Sequence, residues 1–308
     1  MQSRKKKKII IGIIVGFIIL SIGFFISIPV LVMSPIVNMH VDFEKAWTAE
    51  EFGLESKHFF VETKDGYNIS AWEVAAEDPK AVIICLSGIH NPSVTAYFGH
   101  SRLLQEHNYT TILMDMRAHG ESDGNVICLG YKEYLDVKAI VDYIKADVAY
   151  KDVPVVVFGL SMGGATAINA IGKIPEIDGL ISLSAYSSWE DVFYEQMAMQ
   201  APVFIAKMAK PFVTLYTFLK YRVNVWSIKP YRQIENLGDR PALLMHAKDD
   251  SQVPFANLER LISHAPPHVE TFVREGDLHF ITEHFLEPEN DEEYISSILD
   301  FLERHFSD

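Results

Sequence analysis

A series of short runs, apolar on both faces, constrains this chain more than any other feature: Ala81–Leu86, Thr110–Met116, Val153–Phe158, Leu180–Ser184, Ala242–His246 and Val269–Val273. A strand reads this way when helices cover both sides of a parallel sheet. Between the runs lie amphipathic stretches at Ala96–Glu106, Tyr131–Asp147, Met162–Ile171, Phe255–Ser263 and Glu293–His305. In the second of these, Tyr134, Val137, Ile140, Val141 and Ile144 fall on one helical face. The alternation predicts an α/β fold with a doubly wound, mostly parallel sheet and right-handed crossovers. His58–Thr63 and Ile69–Ala75, joined through Asp65-Gly66, predict a hairpin ahead of it. Ser184–Glu235 breaks the rhythm. It is rich in aromatics and Met and carries no strand pattern, so a helical cap is expected at about 186–235, divided into short helices by Pro202, Pro211 and Pro230.

The N-terminus has a different character. Residues 1–8 form a basic tail, with Arg4, Lys5, Lys6, Lys7 and Lys8. Ile9–Met33 follows without a charge, long enough as a helix of about 35 Å to cross a bilayer. Bases ahead of such a helix stay on the cytoplasmic side, which puts the remainder on the extracytoplasmic side of the cell membrane as a single-pass protein. A cleaved signal peptide fits less well, because Ser27–Met33 offers no small-residue cleavage site. Pro29 is expected to kink or end the helix. Residues 34–57 read as a juxtamembrane connector that, fully extended, would reach about 70 Å, and residues 58–308 as the α/β domain.

The five N-terminal bases are part of 27, so the other 22 face 41 acids. So acidic a body argues against nucleic acid as a partner. Cys85 and Cys128 are too few for a disulfide scaffold and are expected as free thiols. No metal-ligand spacing is present; Asp123-Gly124-Asn125 lacks the further oxygens of a calcium loop.

Ligands of open α/β sheets sit beyond the carboxyl ends of the strands. There, after Val153–Phe158, stands Gly159-Leu160-Ser161-Met162-Gly163-Gly164, a G-x-S-x-G between a strand and a helix. Such a turn exposes the serine hydroxyl, and the glycines let neighbouring backbone approach. A serine needs a base, and the base an orienting acid. Asp249 and Asp250 follow the strand ending at His246, and His279 follows the strand ending at Val273, giving the order Ser, Asp, His. Glu190 and Asp191, after the preceding strand, are an alternative acid position. His246 reads as structural, His119 as a wall of the site, and His284 as a surface residue.

From about Glu55 onward the chain resembles the α/β-hydrolase superfamily, particularly its bacterial esterase, lipase and serine-aminopeptidase-like members. Leu86-Ser87-Gly88-Ile89, Asp115-Met116-Arg117-Ala118-His119-Gly120-Glu121-Ser122, the Ser161 turn, His246 through Val253-Pro254, and Gly276 through His279-Phe280 carry the resemblance, in that order. It implies Ser161 as nucleophile, His279 as base and Asp250, from its spacing to Val253-Pro254, as acid. It also implies an oxyanion hole made by the backbone amides of Ile89 and Met162. Ser87, Ala118 and Ala247 depart from commoner family residues, which leaves Gly88 and His90 as neighbours to consider for the hole.

The expected chemistry is acyl transfer to water from a small-molecule or lipid-like carboxylic ester, a thioester being another form, with no cofactor and no metal. A peptidase or amidase using the same residues, and a catalytically silent membrane-tethered binding module, are the rivals. The substrate-binding residues are not legible. The cap aromatics read mainly as packing, and its slight excess of bases suggests proximity to an anionic membrane surface.

Overall fold

The computed structural model describes residues 2–90 and 92–307; Met1 of the basic tail and Asp308 at the end of the domain lie outside them. The described elements, in chain order, begin with α1 (Gln2–Val37), the hairpin β1 (Lys57–Glu62) and β2 (Asn68–Val74), β3 (Ala81–Leu86), α2 (Phe98–Glu106) and β4 (Tyr109–Met114). Then come α3 (Tyr134–Ala146), β5 (Val155–Leu160), α4 (Met162–Ile171) and β6 (Gly179–Leu183). The cap helices α5 (Trp189–Gln200), α6 (Val203–Tyr221) and α7 (Pro230–Gln233) precede β7 (Ala242–Ala247), α8 (Ala256–His264), β8 (Glu270–Arg274) and α9 (Glu292–Phe306).

The sheet runs β1-β2-β4-β3-β5-β6-β7-β8. Only the β1–β2 and β2–β4 pairs are antiparallel; every pair from β4 to β8 is parallel. This is the α/β-hydrolase fold the sequence leads one to expect. Period-two alternation divides the central strands between two cores. Val82, Ile84 and Leu86 face α3, α4 and α8, whereas Ile83 and Cys85 face α2 and α9. Cys85 and Cys128 are both buried free thiols.

Three details differ from expectation. Strand β8 is not covered on both faces: alternate residues are exposed, because it is the sheet edge and no further strand lies beyond it. Pro211 does not divide the cap, since α6 runs through it for 19 residues, and likewise α1 runs through Pro29 and Pro35. A proline inside a helix removes one amide donor, and neighbouring packing retains the flanking turns. Finally, the segment after α1 is no free tether. Ile127 N donates to Val37 O at 2.9 Å, and Val41 pairs with the His119 strand segment through bonds of 2.8 and 2.9 Å. Both ring nitrogens of His40 lie 2.8 Å from the carbonyls of Gly120 and Gly124. The exposed part of α1 is long and apolar enough to cross a membrane. Its last turns pack on α6, with Phe25 stacked on Phe212 at 5.8 Å and the Ser34 and Tyr216 hydroxyls 3.1 Å apart.

One clamp near the C-terminus holds the loop that follows β8. Arg274 donates to the Ile281 carbonyl at 2.7 Å and to Asp291 at 2.8 Å, while Asp291 also accepts from the Tyr294 amide to start α9. The Arg274 hydrogen bonds hold the Asp291 carboxyl down at about 2. A depressed carboxyl stabilises the fold above the unfolded value of about 3.9 and stops doing so as pH falls through the folded value. Asp291→Asn keeps a good helix cap but loses the charge. It should therefore cost about 1 kcal/mol at pH 6, with the deficit shrinking below about pH 4. Thermal melts of both proteins from pH 6 down to 3 check this, and coincident midpoints at pH 6 would contradict it.

Candidate active site

Strand β5 delivers the chain to Ser161 in a conformation that side chains rarely adopt, φ 57° and ψ −116°. A bend this sharp requires backbone to pass very close on both sides. A Cβ on Gly159 would lie 2.2 Å from Gly163 O, and one on Gly163 would lie 2.3 Å from Ser87 O. The turn is held from below by the Ser161 amide, which donates to Leu183 O on β6 at 2.8 Å, and from ahead by Ala165 N on Ser161 O at 2.9 Å. Met162 opens α4, so its amide is one of the first-turn donors that find no acceptor within the helix.

The loops after β7 and β8, which carry Asp250 and His279, are joined along their length. Lys248 N donates to Arg274 O at 2.8 Å, Asp249 N to Gly276 O at 3.1 Å, and Gly276 N back to the Asp249 carboxylate at 3.2 Å. Ser251 N donates to Asp277 at 2.8 Å. Inside this seam His279 Nδ1 lies 2.8 Å from Asp250 Oδ2, while Asp250 Oδ1 accepts the amides of Gln252 and Val253, each at 2.9 Å. Burial opposes ionisation of Asp250, but the His279 hydrogen bond and charge, the Val253 amide and His246 outweigh it and lower its pKa. Asp249 is thus a loop clamp, and Asp250 is the carboxylate that meets His279. The alternative acids are engaged elsewhere. Asp191 pairs with Lys210, and Glu190 lies 3.1 Å from Lys229. His246 Nε2 donates to Val253 O, 2.7 Å away, within the same loop, and burial lowers its pKa.

Two arms of the site are therefore formed, the Ser161 turn and the Asp250–His279 pair. Among the described residues no hydrogen bond joins the Ser161 hydroxyl to His279. Such contacts are commonly long in the absence of substrate and close on binding.

The loop after β3 approaches from the other side. A Cβ built on Gly88 would sit 3.7 Å from Ser161 Cβ. His119, fully buried, braces this loop: its Nε2 lies 2.9 Å from Ile89 O and its Nδ1 2.9 Å from Arg117 O. Arg117 is itself fixed between Asp65, at 2.8 Å, and Asp136, at 2.9 Å. His119 thus positions the Ile89 loop through its backbone rather than forming part of an open wall. Neighbouring His90 has its pKa lowered by burial and by His119, with the Ile36 carbonyl of α1 acting the other way.

Ser161, Met162, Ile89 and His90 line one cavity of about 540 Å³, a size suited to a small-molecule ligand. Its far side is α5, through Trp189, Val192, Phe193, Gln196, Met197 and Gln200. That spacing of 3, 1, 3, 1 and 3 marks one helical face, a signal that the sequence carries but that the reading of the cap aromatics as mainly packing missed. The remaining wall was not: Val32 and Ile36 of α1 also line the cavity.

The serine aminopeptidase S33 family model matches residues 77–237, just over half of the chain. The chain belongs to that family. It is a serine hydrolase of the α/β-hydrolase fold, and the matched segment holds Ser161, the Ile89 loop and the cap but ends before Asp250 and His279. Among relatives, the uncharacterized protein YqkD of Bacillus subtilis (strain 168) is 27% identical over 212 residues, 68% of each chain. The uncharacterized protein YfhR of Salmonella typhi is 22% identical over 239 residues, 72% of this chain and 74% of its own. In fold, this S33 hydrolase is similar to the Pyrococcus furiosus esterase Pf2001, with TM-score 0.67 and 22% identity over 87% of this chain and 98% of that one. It is also similar to the Pyrococcus horikoshii acylaminoacyl peptidase, with TM-score 0.61 and 15% identity over 82% of this chain and 42% of that one.

The close approaches at the turn give a direct test. Gly163→Ala puts a methyl group against Ser87 O and must push the Ile89 loop away from Ser161. Hydrolase activity should fall by about a hundredfold, the usual cost of losing an oxyanion donor, while far-UV circular dichroism is retained. Activity within threefold of wild type would show that the loop does not need this contact.

Proposed function

We propose that this S33-family protein is a membrane-anchored serine esterase. Ser161 Oγ attacks the ester carbonyl, His279 takes its proton and returns it to the leaving alcohol, and Asp250 holds the imidazole with Nδ1–H turned inward and stabilises the imidazolium. The amides of Met162 and Ile89 receive the oxyanion. Water then cleaves the acyl-enzyme by the same route in reverse. The observation that carries this reading is the Asp250–His279 bond of 2.8 Å, which leaves Nε2 as the proton-accepting atom on the ring. The anchor is α1, with the basic residues 4–8 on the cytoplasmic side and the hydrolase domain outside.

The cavity favours an ester over a peptide amine. Among the described residues that line it, none is Asp, Glu, Lys or Arg. A substrate ammonium is held best by a carboxylate, because a charge without a counter-charge in a largely apolar cavity is disfavoured, and here the side-chain acceptors include only neutral groups such as the amides of Gln196, Gln200 and Gln252. Acyl groups, by contrast, fit a wall of Trp189, Val192, Phe193 and Met197 without a polar partner.

A fluorophosphonate probe should label wild type and not Ser161→Ala. Asp250→Asn should retain the fold but lower kcat for a p-nitrophenyl ester by roughly 10³–10⁴-fold, because the imidazole loses its tautomer. A folded wild type that never labels would overturn the esterase reading. Turnover of aminoacyl amides above that of matched esters would favour the peptidase.

A further inference from the structure

The esterase reading leaves open how a substrate reaches Ser161, and α1 and α6 bear on that directly. Helix α6 has three faces. Ala206, Ala209, Val213, Thr217 and Tyr221 are buried against the domain. Phe212 and Tyr216 meet α1, and Lys220 reaches Asn38 just beyond it. The third face carries Phe204, Met208, Leu215, Phe218 and Leu219, each exposed and spaced at helical intervals with Pro211 among them. Exposed apolar stripes of this extent mark an interaction surface.

Depth along α1 says what covers that stripe. With Arg4–Lys8 at one interface, a hydrocarbon core of about 30 Å takes in roughly 20 helical residues, Ile9 to Ile28. Phe25 therefore lies inside the core, and it stacks on Phe212. Contacts along the pair run in the same sense, Phe25 with Phe212, Ser34 with Tyr216, Asn38 with Lys220. The N-terminal half of α6, with Phe204 and Met208, accordingly points further inward than Phe212. Lys207 lies exposed beside the stripe, and its flexible stem directs the ammonium toward the nearer headgroups. Between the helices lies a groove of about 290 Å³ walled by Ile26, Pro29, Val30, Phe212, Leu215 and Leu219, with Tyr216 and Lys220 at its outer end, straddling the edge of the hydrocarbon core.

The same two elements frame the catalytic cavity, which takes Val32 and Ile36 from α1 and Met197, Gln200 and Ala201 from the corner leading into α6. On the α1 scale Val32 and Ile36 stand about 6 and 12 Å beyond Ile28, at headgroup height.

We propose that α6 is a second membrane-embedded element and that the substrate is a bilayer-resident, acyl-chain-bearing ester. It enters sideways from the outer leaflet between α1 and the α5–α6 corner. The proposal rests on Ser161 being the nucleophile at the end of that path. No linker has to bring the site down to the membrane, because the docked α1 holds it there.

Full-length protein in phosphatidylcholine–phosphatidylglycerol vesicles tests this. Met208→Cys, labelled with an environment-sensitive fluorophore, should be quenched by acyl-chain nitroxide lipids and shielded from iodide. The same label at Val148→Cys, 83% exposed in the loop ahead of β5, should behave oppositely. Phe204→Glu with Met208→Glu should lower hydrolysis of a vesicle-embedded long-chain ester at least tenfold and leave p-nitrophenyl acetate hydrolysis within twofold. Iodide reaching position 208 as freely as 148, or equal effects on both esters, would overturn the proposal. Quenching does not depend on turnover. A failure of the triad, read as absent fluorophosphonate labelling of wild type, is thus a separate result from a failure of membrane embedding.

Discussion

A single residue held at φ 57° sets the geometry on which the rest of the site depends. For a side chain other than glycine this conformation costs on the order of 1–3 kcal/mol. It persists because the surroundings leave no alternative: Ser161 is tied to β6 by its amide, and backbone passes within van der Waals contact of Gly159 and Gly163. The strain turns the hydroxyl outward while the first amides of α4 point into the same space. Every other part of the site is arranged around that fixed point. The Ile89 loop is pressed toward it through His119 and Arg117, and the Asp250–His279 pair is carried by two adjacent strand ends whose loops are bonded together.

What was legible in the sequence follows from how local each signal is. The central strands β3 to β7 could be read because apolar runs such as Ala81–Leu86 encode burial on both faces within a few residues. Ser161 could be read because the glycines that permit the bend are its neighbours. The choice of Asp250 over Asp249 came from a resemblance, and the structure gives it a physical basis: the Asp249 carboxylate accepts from the Gly276 amide, whereas Asp250 faces the imidazole. Pro211 misled because proline is a strong local breaker, yet a 19-residue helix packed along its length tolerates one missing donor. The docking of residues 37–41 and the contribution of Val32 and Ile36 to the cavity were not legible. Those contacts join positions some 80 to 160 residues apart, and nothing in an uncharged apolar run distinguishes a side chain facing lipid from one facing a cavity.

Polar bracing and apolar packing together fix the N-terminal segment to the domain, with Met33, Val37 and Val41 buried in its core. Its attachment points, the His119 strand segment and the carbonyls that His40 meets, belong to the same loop that supports Ile89. The end of α1 and the candidate oxyanion loop therefore share one framework, and movement of one strains the other. Helix α6 adds a second brace through the Phe25–Phe212 stack.

Because α1 contributes Val32 and Ile36 to the cavity wall, the proposed anchor would be part of the site as well as its tether. A protease that shed the domain at the bilayer surface would release a molecule whose cavity stands open along one side. On the proposed topology, location and competence would be written into one helix, so a freed domain would not be an equivalent enzyme carried elsewhere.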